Sequence, residues 1–273
     1  MARSAMAVAV SAVLAVCGRS QAQRPHFDVA TIRPSPSELN FGPHCDGGSG
    51  SPGKLTMRCN TVKELVQFAY GLYANGATLT PQPLQISGGP GWIDADRFDI
   101  EARADGNPRE EMMAGPMLQT LLEDRFKLRV HREMRERPVY ALTVARSGFK
   151  LQPLEEVCLP PDPCGVVNMR SNGQNMTLDV HAMSMADFSG SLGLDRPVLD
   201  KTGVSGVFDF RLEFVLDGAA PGNLFGSHDP TPSGDGAGPS IFTAIQKLGL
   251  KLESAKGLVE FLVIDHVEKP SGN

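Results

Sequence analysis

Four segments recur in the same order along this chain, and the recurrence constrains its fold more than any single motif does. Residues 97–102 read RFDIEA and residues 207–212 read VFDFRL. Each follows a Gly- and Asp-rich turn, GGPGWIDAD from Gly88 and LDKTGVSG from Leu199. Upstream, LTMRCNTV from Leu55 matches MTLDVHAM from Met176. Downstream, LLEDRFKLR from Leu121 matches IQKLGLKLE from Ile245, and VYALTV from Val139 matches VEFLVI from Val259. A chain that writes one supersecondary unit twice is expected to stack two similar units and bury their apolar faces together.

Periodicity supplies the elements of each unit. In the first, residues 55–59 read as a strand and 62–71 as a helix, with Thr61 as N-cap and Glu64 three residues on completing a capping box. A turn-rich crossing over 85–92 leads to a strand over 97–103. Met113, Met117, Leu118, Leu121 and Leu122 share one face of a helix over 109–125. Phe126, Leu128 and Val130 alternate with Lys127, Arg129 and His131, which predicts a strand over 126–132 with one wet face, followed by another over 139–145. The second unit predicts helices over 184–192 and 239–248 and strands over 207–215, 250–254 and 258–265. Short helices crossing antiparallel strands make an α+β architecture of roughly β-α-β-β-α-β-β order in each unit. The expected division is a signal peptide over 1–22, then a strand and Gly/Ser/Pro-rich loop over 23–54. The first unit follows over 55–153, a Cys-containing connector over 154–174 and the second unit over 175–267. A flexible insert over 217–239 and a tail over 268–273 complete it.

The opening MARSAMAVAVSAVLAVCGRSQAQ carries a positive start at Arg3, a short apolar run over 5–16 and small residues at Ser20 and Ala22, the pattern of an export signal. The chain is therefore expected in the periplasm or outside the cell, with no membrane span after cleavage. A lipidated Cys17 is the minor alternative, because Val16 fits the position before such a cysteine poorly. Cleavage leaves Cys45, Cys59, Cys158 and Cys164, an even count that reads as disulfides in an exported chain. Cys45–Cys59 with Cys158–Cys164 is the pairing that asks least of the chain. A metal site is not expected from their spacing, nor from the scattered histidines. Taking Arg3 and Arg19 from the 26 Lys and Arg, against 31 Asp and Glu, gives the exported chain a net charge of −7. Nucleic-acid binding is disfavoured, since it needs clustered cations.

Reactive constellations are thin, and no cofactor is expected. Asp265 and His266 are adjacent, and Asp209 and Asp99 hold equivalent places in the two FD strands. Strand neighbours point to opposite faces, so Asp265 and His266 are not expected to touch; a secreted-hydrolase alternative would use His266 with an acidic residue such as Asp209 or Asp265 in a cleft between the units. The one basic concentration is Arg125, Lys127, Arg129, Arg132, Arg135 and Arg137, expected on a hairpin over 125–137 as a docking patch for an envelope protein or polyanion. A binding, docking or sensing module of the envelope is the leading expectation, with a structural envelope protein as a third.

The strings FDVATIRPS, GGPGWIDADRFDIEA, LLEDRFKLRVHRE, RPVLDKTGVSGVFDFRLEF and VIDHVEKPSGN resemble an acidobacterial-type family of exported proteins known as a domain of unknown function. The resemblance covers nearly all of the chain after residue 22. It implies export and a two-unit α+β fold, and it transfers no catalytic residue. Similar domains look to be joined in some proteins to sensor-type membrane metallopeptidases of the beta-lactam-receptor kind, which implies a sensing or docking role. The β-α-β-β layout is also similar to periplasmic docking modules of secretins and TonB-dependent receptors.

Overall fold

The computed structural model describes residues 24–36, 49–74, 84–154, 165–172, 175–215 and 238–270. The segment expected as a signal peptide, with Cys17, and also Cys45, Cys158 and Cys164, lie outside these residues, as does nearly all of the insert expected over 217–239. The fold is α+β, with most strand pairs antiparallel. Three sheets form: β1-β5-β3-β2, β10-β8-β7 and β4-β11-β6-β9.

The first sheet is built from β1 (Val29–Pro34), β2 (Ser49–Ser51), β3 (Lys54–Thr61) and β5 (Arg97–Arg103). Leu55, Met57, Phe98, Ile100 and Ala102 alternate inward and are nearly inaccessible to solvent, the pattern of a sheet with one buried face. Beneath them lie α1 (Val62–Val66), which continues as a π turn over Gln67–Leu72, and the run α3 (Glu110–Met112), π turn Met113–Met117 and α4 (Leu118–Arg125). The expected capping box is present: Glu64 N–H donates to Thr61 Oγ1 at 3.2 Å and Thr61 N–H to Glu64 Oε2 at 2.8 Å. The helix expected as unbroken over 109–125 kinks at Gly115, with φ −103° and ψ −105°, next to Pro116. The Tyr73 carbonyl explains the kink, for a Cβ on Gly115 would stand 1.8 Å from its oxygen.

The second half holds its own antiparallel pair, in the three-stranded sheet. β8 (Asn175–Ser184) and β10 (Val207–Val215) bury Leu178, Val180, Phe208, Phe210 and Leu212 against α5 (Met185–Ser191) and α6 (Ile241–Ala244), which runs on as a 3-10 turn to Leu248. Residues 166–172, expected as connector, instead form β7 (Val166–Asn172) on the outer edge of β8.

The two strand pairs share a kink. Cys59 (φ 56°) and Ala182 (φ 48°) each sit at a bulge, and their N–H groups donate to Asp99 Oδ1 at 2.9 Å and Asp209 Oδ1 at 2.7 Å. Thr61 and Ser184 then cap the following helices. These landmarks set Leu55 against Leu178, two residues from the sequence match to Met176. A shift of two leaves every side chain on its own face, so alternation alone does not detect it.

The third sheet joins the halves. β6 (Arg129–Val144) and β11 (Leu250–His266) pair antiparallel along their whole length. β4 (Gln85–Gly88), from the segment expected as a turn-rich crossing, runs parallel to β11, and β9 (Val198–Asp200) runs parallel to β6. After β4, α2 (Trp92–Ala95) turns the chain into β5. Each of β6 and β11 was expected as two strands. They are continuous because both partners extend through the charged middle, so no turn is needed at 133–138. The basic segment is therefore not a hairpin.

Candidate functional site

The site begins with parity on β6 and β11. From Val130 to Val144 their residues pair with even opposite even, up to a bulge that sets His266 opposite Arg129, so one face carries Val130, Arg132, Met134, Glu136, Tyr140 and Leu142 with Leu250, Leu252, Leu258, Glu260, Leu262 and Ile264. At one end of this face Val130, Leu262 and Ile264 join the first core; at the other, Tyr140, Leu142, Leu250 and Leu252 join the second. Neither core reaches the middle. Met134 and Leu258 stand there 55% and 60% exposed, one pair apart on the same face.

That gap is a groove of about 520 Å³. Its floor is Arg132, Leu258 and Glu260; Tyr70, Gly71 and Leu84 form one wall and Asp195, Arg196 and Pro197 the other. Charges of both signs line it. Arg132 pairs with Glu260 and donates through Nη2 to the Tyr70 carbonyl at 3.3 Å. Arg196 pairs with Asp195 at 2.7 Å and lies 4.8 Å from the centre of the Tyr140 ring. The Arg196 hydrogen bond holds the Asp195 carboxyl below its ordinary range. Burial, then the Asp195 carboxylate, pushes the Tyr140 hydroxyl up. Burial likewise raises Tyr70, aided by Glu123, which accepts from its hydroxyl at 3.2 Å. Both phenols therefore stay neutral donors near neutrality.

The family model Protein of unknown function (DUF3738) matches residues 63–267, most of the 273-residue chain. The chain belongs to this family. No curated protein and no solved structure matches it. Every groove residue named above falls inside the DUF3738 span.

Within this DUF3738 domain the basic residues do not form one patch. Arg132 faces the groove. Arg129, Arg135 and Arg137 are on the opposite face, where Arg135 bonds Glu133 and Ser87 Oγ at 3.0 Å each and the guanidinium groups of Arg135 and Arg137 lie 4.8 and 5.9 Å from the Phe261 ring centre. Arg125 ends α4 and reaches the Ala30 carbonyl at 3.4 Å, and Lys127 folds back on the Asp124 carbonyl at 2.8 Å. The two-residue repeat of the strand separates what the linear sequence groups together.

The catalytic alternative is likewise divided among different partners. Asp265 accepts from His131 Nδ1 at 2.9 Å, and His266 Nε2 contacts Glu268 at 2.8 Å. Asp209 is on another sheet, bonded to Ala182 N–H and 2.9 Å from His181 Nδ1. Asp99 accepts from Ser35 Oγ at 2.6 Å as well as from Cys59 N–H. Among the described residues no group of three or more His, Cys, Asp or Glu is placed to hold a metal, and no helix is long and apolar enough to cross a membrane. Cys59 is disulfide-bonded.

The groove residues Leu258, Glu260, Asp195 and Arg196, and Met134 on the same face of the ribbon, were not singled out in the sequence. The one local signal is at Met134, an isolated large apolar residue in the charged run REMRE; Leu258 is followed by Val259 and opens an apolar strand, so nothing in the sequence sets it apart.

Proposed function

We propose that this DUF3738 protein is a non-catalytic binding module, exported to the cell envelope, that takes an extended polypeptide segment into the groove between its halves. The observation that carries the reading is the uncovered middle of the β6–β11 ribbon. Leu258 is exposed there beside paired charges, within a concavity of ligand-binding size. The main chain supports a peptide over other ligands. Tyr140 N–H donates to the Pro197 carbonyl and the Leu142 carbonyl accepts from Lys201 N–H, both at 2.9 Å. Even-numbered residues of β6, and those opposite them on β11, therefore aim their main-chain groups away from the ribbon. Among the described residues β4 meets β11 over residues 261–264. Beyond its start no described strand pairs with the edge at Leu258, whose donors and acceptors suit an added strand, with the groove beside it for alternate side chains. The export-type opening sequence supports the envelope setting.

A library of short peptides selected on the full exported chain tests this. Selected binders should lose at least about tenfold in affinity for Leu258→Asp, which places a charge where an apolar anchor docks. Leu258 is exposed, so the variant should fold and melt like the parent. Failure to select any binder, or equal binding to Leu258→Asp, would remove the groove from the function.

A further inference from the structure

The opposite edge of the ribbon, on β6, carries a different message. β6 starts at Arg129, and β9 first pairs with it at Tyr140. Between them residues 129–139 form an edge on which, among the described residues, no neighbouring strand is paired. Arg132, Met134 and Glu136 direct their main-chain groups outward there, by the parity shown at Tyr140 and Leu142. Pro138 occupies another outward position, where its missing N–H costs the ladder nothing.

Residues 132–136 read Arg-Glu-Met-Arg-Glu. Laid antiparallel against a copy of itself about Met134, this segment sets Arg132 opposite Glu136, Glu133 opposite Arg135 and Met134 opposite Met134. Met134 is also the midpoint of the open stretch 129–139, so two copies would overlap along it without meeting β9. The neighbouring registers fail. Centring the pair on Glu133 or Arg135 sets that residue against its own charge, which destabilises a directly opposed pair. Charges on an edge strand usually keep other strands away. Here their order selects one partner in one register.

We infer that the protein forms a two-fold dimer through the β6 edge, with a second copy of this chain as the occupant. Outward main-chain groups of Arg132, Met134 and Glu136 pair across the axis, and the two exposed Met134 side chains meet on it. Because the axis is perpendicular to the sheet, both grooves open on the same side of one continuous sheet. The Glu136 of one copy lies beside the groove-facing Arg132 of the other, so a ligand long enough to cross the axis would find both grooves in line.

Sedimentation velocity on the full exported chain, from sub-micromolar to high-micromolar concentration, tests the inference. A concentration-dependent dimer is expected, weakened by salt. Arg135→Glu should weaken it about tenfold or more, since the axis doubles each lost pair and like charges replace it. Glu133→Arg with Arg135→Glu exchanges the signs and should bring association back to within about threefold of the parent. Met134→Lys changes an exposed side chain and should weaken the dimer without affecting the fold, which guards against misfolding of the Arg135 variant. A chain monomeric throughout, a dimer indifferent to Arg135→Glu, or a double exchange no better than the single reversal would each overturn the inference. Glu133 and Arg135 face away from the groove, so this result is independent of peptide binding.

Discussion

Asp99 and Asp209 show what a single side chain contributes to this fold. Each carboxylate accepts the N–H of a residue in the left-handed region at a bulge, Cys59 or Ala182, whose amide would otherwise have no strand partner. A buried amide without an acceptor costs on the order of 1–3 kcal/mol. Ala182 is 2% exposed, so Asp209→Ala should destabilise by about 1–2 kcal/mol in urea unfolding. Arg211→Ala, on the same strand but in exposed ion pairs with Asp179 and Glu213, should change stability by less than about 1 kcal/mol. Both aspartates are recognisable in the sequence as equivalent, but their role is not. The acceptor serves a bulge whose existence depends on pairing between strands some 27 to 40 residues apart.

Elements were legible where a local pattern met a local cause. The Thr61–Glu64 box starts α1 as expected, and the alternation over 97–103 and 207–215 gives β5 and β10 with the expected bounds. The kink at Gly115 was not legible, because its cause is the carbonyl of Tyr73 on another segment. Gly115→Ala should therefore cost about 2 kcal/mol or more, the range for forced overpacking. Gly91→Ala, where a Cβ would meet nothing within 4 Å, should be close to neutral in the same thermal melt. The groove was illegible for a related reason. Its floor comes from strands, its walls from segments near residues 70 and 195, and no sequence period links them. The basic run was visible, but a period of two sends Arg132 to one face and Arg135 to the other.

For the molecule as a whole, the informative feature is the order β4-β11-β6-β9. β4 and β6 come from the first half of the chain, β9 and β11 from the second, and they alternate. Every hydrogen-bonded neighbour in the central sheet is thus a pairing between halves. Among the described residues neither half holds two adjacent strands of it. Separated by a cut between residues 154 and 165, the halves would behave as a split protein. Each fragment alone would present Val139, Leu142, Leu250 or Leu262 without the partner strand that positions it, and should stay incompletely folded. Mixed, the two should reassemble by complementation, recovering the circular dichroism of the uncut chain and eluting together. Two fragments that fold independently and fail to associate would contradict this interlock. The same alternation ties folding to contacts distant in sequence, so in the intact protein the last residues of β11 must be available before the first half can settle.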